Sequence, residues 1–325
     1  MALVAVTDHV FPTLDQEREL LARAGHELRF DSNATTPDEV REAVAGAQGV
    51  LNCYARMPAE VIRDLERCVV IARYGIGLDT IDLDEATRKG IVVTNVPDYC
   101  IDEVSDHALA LIMSLARGVA LLDRRVRSGS WSPSDACPLH RLRGRTIGLV
   151  GFGRISRALA AKVAPLGFRV VTTDPFVPDD AVRDAGAEPM TLEELLHDAD
   201  VVSIHAPLTA ESHHLIGKEQ IAMMKPGAIL VNTSRGPLID VDALRAALAE
   251  GRLGGAGLDV LEVEPPPADD LLLHRDNVIV TPHAAFYSEE SLQELQRKAV
   301  EQVIEALAGR TPPYSVNAEA LAGRD

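Results

Sequence analysis

The sequence predicts an α/β protein built as two doubly wound parallel-sheet domains, and three observations carry that expectation. At 325 residues the chain is about two average domains long. Short β-branched runs alternate with helical stretches in two successive series, the rhythm of parallel strands joined by crossover helices. The second series opens on a glycine-rich turn set between a strand and a helix.

The first series runs from Leu3 to about Thr94 through the strands LVAV, VLNCY, VVIAR and IVVTN, with helices expected over 16–24, 38–45 and 59–65. The turn-rich Val96-Pro-Asp-Tyr-Cys100 then leads into one long amphipathic helix over 102–128, a candidate connector between domains. The second series begins at Arg145 with TIGLV and continues through RVVTT, VVSIH, AILVN, GAGLDV and NVIVT, with helices over 154–164, 192–197 and 241–250. A last helix over 288–309 is long enough to return to the first domain, and the Pro-rich tail after Arg310 is expected on the surface. The domains are therefore drawn as 1–98 with 287–325, and 99–286.

Composition narrows the function. Hydrophobic residues at 46% and charged residues at 25% belong to an ordinary globular protein rather than a disordered one. Lys+Arg 32 against Asp+Glu 49 leaves −17, which repels phosphate backbones and anionic surfaces, so neither nucleic acid nor membrane is an expected partner. No apolar run reaches the ~18 residues needed to span a bilayer. The N-terminal MALVAVTDHV lacks the basic start of a signal peptide and reads as a first strand, so the expected compartment is the cytoplasm. Cys53, Cys68, Cys100 and Cys137 form no CxxC pair and read as ordinary reduced thiols.

The glycine-rich turn is the candidate cofactor site. TIGLV runs into Gly151-Phe152-Gly153-Arg154-Ile155-Ser156 and a helix that Pro165 and Gly167 bring to an end. Gly151 permits a tight turn, Gly153 lets backbone N–H groups approach a pyrophosphate, and the helix N-terminus favours its charge. Ser156 stands where the dinucleotide fingerprint has Gly or Ala, which should cost some helix–strand packing. Asp174 ends the next strand roughly twenty residues on, where a carboxylate accepts from ribose hydroxyls. No Arg or Lys stands between Pro175 and Asp179 to receive a 2′-phosphate, so NAD is expected over NADP.

Three further motifs follow strands: Asn232-Thr233-Ser234-Arg235-Gly236, the run from Asp259 to Glu264-Pro265, and Thr281-Pro282-His283-Ala284-Ala285. All lie at strand C-terminal ends, where open α/β sheets bind ligands. With them the sequence resembles the D-isomer-specific 2-hydroxyacid dehydrogenases, a family that includes phosphoglycerate, glycerate and formate dehydrogenases and the C-terminal-binding protein corepressors. The resemblance extends from RYGIGLDTID and GFGRIS to PHAAFYSEES and the closing GRTPPYSVN, and PHAAFYSEE is most similar to the corepressor branch.

The resemblance implies a discontinuous flavodoxin-like substrate domain, a Rossmann NAD-binding domain, and a substrate cleft between them where hydride passes between nicotinamide and a small 2-oxo acid. It implies His283 as general acid, Glu264 as its carboxylate partner and Arg235 as the guanidinium that grips the substrate. Those types fit the chemistry: the reduction needs a proton for the forming alkoxide and positive charge beside the carboxylate and carbonyl oxygens. A guanidinium fork matches a planar carboxylate. Cofactor contacts are implied at Ser105, His205, Ala206, Pro207, Thr233, Ser234 and Asp259, beside Gly151, Phe152, Gly153, Arg154, Ile155 and Asp174.

Arg73, Tyr74, Gly75, Ile76 and Gly77 resemble the family's carboxylate loop, whose N–H groups hold the substrate, while Asp79 and Asp82 turn the chain and cap the next helix. Tyr54 and Arg56 sit on the preceding strand-end loop. Tyr54, Ile76 and Phe286 are expected to form an apolar wall that favours medium-sized apolar 2-oxo acids over phosphorylated ones. The stripe Val104, Leu109, Ile112, Leu115, Val119 and Leu122 is expected at a homodimer interface. The pair His213-His214 has no Cys, Asp or Glu at a recognised ligand spacing, so no metal centre is expected. Two rival readings stand beside the dehydrogenase: an NAD(H)-responsive interaction module like the corepressors, and NAD-dependent oxidation of a phosphorus oxyanion.

Overall fold

The computed structural model describes residues 1–136 and 138–323, so Cys137 lies outside the described residues. The chain divides into two units, Met1–Cys100 with Ser288–Asp325, and Ile101–Tyr287. The divisions fall after residues 100 and 287, where the sequence reading drew them after 98 and 286.

The first unit holds the parallel strands β1 (Leu3–Val6), β2 (Glu27–Arg29), β3 (Gly49–Asn52), β4 (Val70–Arg73) and β5 (Val92–Thr94) in the flavodoxin-like order β2-β1-β3-β4-β5. β3 and β4 are buried at every residue, as strands covered on both faces must be. The helix Leu83–Arg88 follows a turn whose Asp82 carboxylate accepts from Glu85 N–H, the cap expected of it. Glu289–Leu307 returns to this sheet and packs on β3 so closely that a Cβ on Gly49 would lie 2.8 Å from Val303 Cγ1.

The tail after Arg310 keeps most of its residues exposed or part-buried, as expected, but is pinned to the first sheet. Val316 N–H donates to Val93 O at 2.9 Å, Asn317 Oδ1 accepts from Val93 N–H, and Asn317 Nδ2 donates to Ile91 O. Asn317 is buried and the tail lies along the edge of β5, satisfying main-chain groups that a bare edge would expose.

The second unit holds β6 (Thr146–Val150), β7 (Arg169–Thr173), β8 (Glu188–Pro189), β9 (Val201–Ile204), β10 (Ala228–Asn232), β11 (Leu253–Leu258) and β12 (Val278–Val280), all parallel, in the order β12-β11-β10-β9-β6-β7-β8. Chain direction across the sheet reverses between β6 and β9, the switch point at which such sheets leave a crevice.

The single helix expected over 102–128 is two, Ile101–Ala116 and Val119–Arg127, bent by 60°. Gly118 between them has φ +62°, and a Cβ there would lie 2.7 Å from that of Ala136, so the break demands glycine twice over. The apolar stripe divides with it. Val104 and Ile112 are buried, and Leu111 and Leu115 lie against Gly255 and Gly257 of β11, so the first half of the stripe belongs to the core of its own unit. Val119 is exposed and the second helix buries no residue. Among the described residues no single helix is long and apolar enough to cross a membrane.

Tyr74, expected at the substrate, turns its ring into the core of the first unit, edge-on to Phe11 at 4.8 Å. Its hydroxyl donates to Oε1 of the buried Glu17 at 3.0 Å, and Gln296 Nε2 donates to both Glu17 oxygens at 2.8 and 2.9 Å. Burial pushes the Glu17 carboxyl above its ordinary value, and the hydrogen bonds from Gln296 and Tyr74 reverse only part of that. A raised value in the folded state favours the protonated form, so the Glu17 contribution is most favourable below the ordinary Glu range and worsens as pH rises through the folded value. Glu17→Gln, which keeps the shape without the charge, should therefore gain stability relative to the parent at pH 7 and lose that gain at pH 4. Urea unfolding at the two pH values checks this, and an equal difference at both would mean that the buried charge is not what matters.

Candidate active site

In a parallel sheet all strand C-termini share one edge, and the segments after β6, β7, β9, β10, β11 and β12 bring most candidate residues of the second unit there. Gly151 has φ +90°, and a Cβ on it would lie 2.8 Å from His205 O, so only glycine lets the turn after β6 close against the loop after β9. Asp174 braces this turn from the end of β7: Oδ2 accepts Phe152 N–H at 2.7 Å and Oδ1 accepts Phe176 N–H at 2.8 Å. A Cβ on Gly153 would meet nothing within 4 Å, and the helix Arg154–Val163 that starts there has no side-chain cap. Its first N–H groups are left for an anion.

Two buried hydroxyls, Ser156 Oγ and Thr233 Oγ1, have no hydrogen-bond partner among the described residues. His205 Nε2 pairs with Ser203 Oγ at 2.9 Å, and burial holds its imidazole down at about 4, hence neutral. An open approach at Gly153, an uncapped helix, a strand-end carboxylate and an orphan Thr233 hydroxyl suit a dinucleotide. Ser105 does not join them. Its hydroxyl donates to Ile101 O and accepts from Lys162 Nζ at 2.8 Å. Lys162 is eight residues beyond Arg154, about 12 Å along the helix from its phosphate-facing end.

The loops after β10, β11 and β12 fix one another. Asp259 is 2% exposed; its Oδ1 accepts from Thr281 Oγ1 at 2.6 Å and Ala284 N–H at 2.9 Å, and its Oδ2 accepts from Ala285 N–H at 2.9 Å. Its carbonyl accepts His283 N–H at 2.8 Å. So held, His283 takes φ +53° and directs Nδ1 to Glu264 Oε2 at 2.8 Å, while Glu264 Oε1 accepts Leu261 N–H at 2.8 Å. Burial pushes the Glu264 carboxyl up, but the His283 hydrogen bond and charge, Leu261 N–H and the Arg235 guanidinium outweigh it and hold the group below its ordinary value.

Asn232 shapes the Arg235 turn, donating from Nδ2 to Arg235 O at 2.7 Å and accepting Ser234 N–H at 3.0 Å. Arg235 Nη1 donates to Ser234 O at 2.7 Å. Gly236 then lets the loop after β11 pass: a Cβ there would lie 2.0 Å from the Leu261 carbonyl carbon.

Sequence reasoning missed His107 altogether and placed Asn232 and Thr281 in the motifs without their supporting roles. Thr281 Oγ1 gives its proton to Asp259, so it accepts from His107 Nε2 at 2.9 Å, which fixes that tautomer. A lone histidine on a helix carries no signal of this; the only available one was the Thr-Pro-His run itself. Phe286 lies edge-on to His283, ring centroids 6.4 Å apart.

In the first unit the loop after β4 differs from its expected form. Tyr74 N–H is spent on Asn52 O at 2.7 Å and Gly75 N–H on Arg73 O at 3.0 Å. Among the described residues the N–H groups of Ile76 and Gly77 meet no acceptor. Arg73 is buried and folds over Gly75, where a Cβ would lie 1.5 Å from its Nη1; Nε has no partner among the described residues. Its guanidinium carbon lies 5.9 Å from the Tyr54 ring centroid, and Arg56 is exposed. Asp8 secures the neighbouring loop by accepting N–H groups of Cys53, Tyr54 and Ala55 at 3.0, 2.6 and 3.1 Å.

The chain matches the family model "D-isomer specific 2-hydroxyacid dehydrogenase, NAD binding domain" over residues 109–285. It is 43% identical over 266 residues to the glyoxylate reductase of Korarchaeum cryptofilum, covering 81% of this chain and 80% of that one. The structure of D-mandelate dehydrogenase from Rhodotorula graminis is similar with TM-score 0.85 at 30% identity, covering 97% of each chain. That of D-lactate dehydrogenase from Aquifex aeolicus, complexed with NAD and lactic acid, is similar with TM-score 0.83 at 28% identity, covering 99% of this chain and 98% of that one.

Two glycines separate support from access. Gly236→Ala forces the 261–262 backbone to move and should cost about 2 kcal/mol, a fall of roughly 4–8 °C in the thermal midpoint. Gly153→Ala adds its methyl to open space and should stay within about 0.5 kcal/mol of the parent. Calorimetry of both variants checks the pair.

Proposed function

The chain belongs to the D-isomer-specific 2-hydroxyacid dehydrogenase family, and from that premise we propose that it is an NAD-dependent oxidoreductase that interconverts a small 2-oxo acid and its 2-hydroxy acid. The observation that carries the reading is the His283–Glu264 pair at 2.8 Å, held at the strand ends of an NAD-binding sheet with Arg235 close enough to depress the Glu264 carboxyl.

NADH, when bound, supplies the hydride. Gly153, Arg154 and Ile155 would hold its pyrophosphate at the helix N-terminus, Asp174 its ribose hydroxyls, and the loops of His205, Ala206, Pro207, Thr233 and Ser234 its nicotinamide half. His283 keeps Nδ1–H on Glu264 and gives a proton from Nε2 to the carbonyl oxygen as negative charge grows there. Glu264 stays ionised below the ordinary carboxylate range and stabilises the imidazolium that donates that proton. Arg235 offers its guanidinium to the substrate carboxylate and the carbonyl oxygen. Asp259 acts through the loop it anchors.

For the substrate, the first unit offers the buried Arg73 and the N–H groups of Ile76 and Gly77 to one carboxylate, with Tyr54 and Ile76 as apolar neighbours; in the second unit Phe286 stands edge-on to His283. That inventory supports an unphosphorylated monocarboxylic 2-oxo acid. Enzyme names among the relatives favour catalysis over an interaction module, and nothing in the site favours a phosphorus oxyanion. The buried thiols of Cys53, Cys68 and Cys100 fit a reducing compartment such as the cytoplasm. The exposed Val119, Val126 and Trp131 support a homodimer.

NADH oxidation against a panel of 2-oxo acids tests the reading. Glyoxylate, pyruvate or larger apolar 2-oxo acids should be reduced, and phosphorylated ones should be poor; no turnover with any would overturn the activity. NADPH should be at least about tenfold worse in kcat/KM, because Asp174 faces its 2′-phosphate, and Gly153→Ala should lose NADH affinity while remaining folded. His283→Ala should remove most turnover and still bind NADH. Glu264→Gln, which keeps the shape but loses the charge beside His283, should lower kcat for reduction by about tenfold or more while NADH still binds; an unchanged kcat would separate Glu264 from proton transfer.

A further inference from the structure

Two non-glycine residues among the described ones take positive φ, and both are histidines at 53°: His283 and His214. The left-handed region costs an L-residue roughly 1–2 kcal/mol, and such outliers gather where a ligand or a reaction uses the geometry. Each of the two has a carboxylate partner in the 261–264 loop. His283 has Glu264; His214 has Glu262, Nε2 to Oε1 at 3.3 Å. The backbone of His214 is fixed by its N–H on Pro237 O at 2.8 Å, and the His213 ring lies beside it with centroids 4.0 Å apart. One ligand atom from each of His213, His214 and Glu262 lies within 4.8 Å of the other two. The reaction assigned above uses none of the three.

We propose that His213, His214 and Glu262 bind one divalent transition-metal ion of the zinc, cobalt or nickel class. Two imidazoles and a carboxylate are a donor set that zinc takes, with bonds of about 2.0–2.2 Å, and the ligand atoms of such a tetrahedron stand about 3.4 Å apart. The His214–Glu262 separation of 3.3 Å already matches one edge. It is also longer than the usual range for a nitrogen–oxygen hydrogen bond. His213 must close the rest of the gap; it and Glu262 are exposed, so rotation about their side-chain bonds meets no packed core, and solvent supplies the fourth ligand. Imidazole donors select against magnesium and calcium, which prefer all-oxygen shells. The ligands come from positions 48 residues apart, 214 and 262, so no spacing in the sequence announces the site. Occupancy would tie the 213–214 turn to the loop that also carries Glu264.

The test is calorimetric titration of Zn²⁺ into the metal-free full chain, with Co²⁺ absorption as a second readout. A single equivalent should bind, and His213→Ala and Glu262→Gln should each weaken it by about tenfold or more while the thermal midpoint stays at the parent value. His283→Ala, which removes the other His–Glu pair, should leave the affinity unchanged. Absence of binding, affinity indifferent to either His213→Ala or Glu262→Gln, or a loss seen only in His283→Ala would overturn the proposal. None of these readouts depends on turnover.

Discussion

The candidate site depends on one buried carboxylate. Asp259 is almost wholly removed from water, and an ionised carboxylate so placed costs several kcal/mol unless donors surround it. The donors come from a single short stretch: the Thr281 hydroxyl and the N–H groups of Ala284 and Ala285. Satisfying that carboxylate dictates the path of the loop, and the path forces His283 into a conformation it would not choose alone. Asp8 does the same for the 53–55 loop and Asp174 for the glycine-rich turn. In each case an aspartate at or near a strand end positions a neighbouring loop through main-chain hydrogen bonds.

Environment then divides labour between like residues. His205, walled in beside Ser203, is kept neutral by burial. His283, offered a carboxylate at 2.8 Å, is equipped to carry a proton. His107, locked to Thr281, lends its donor to the support of the loop.

Strands and crossover helices were legible because their hydrophobic periods are strong: the helices expected over 154–164 and 241–250 form at Arg154–Val163 and Val241–Ala249. β2 and β8 were not, since two or three partly polar residues at a sheet margin hold no period. The break at Gly118 was missed because the apolar pattern continues through it; only the approach of Ala136 shows why the helix must stop. Arg235, Glu264 and His283 were singled out by the family resemblance that the motifs at strand ends carry, not by spacing alone. What stayed hidden was made by tertiary proximity alone: the core duty of Tyr74, the partnership of Ser105 with Lys162, and the meeting of His214 with Glu262. Sequence spacing reports local periodicity, and none of these pairs is local.

The return of Glu289–Leu307 and the tail to the first sheet has a consequence for how the chain acquires its structure. A ribosome releases residues in order, so β1 to β5 emerge first yet lack the helix that presses on Gly49 and the asparagine that seals β5. The whole of the second unit is synthesised in between. Its sheet is made from one uninterrupted stretch and has every strand before the first unit has its last helix. The first unit is therefore completed after the second, and for that interval the apolar face that Glu289–Leu307 covers has no partner from its own chain.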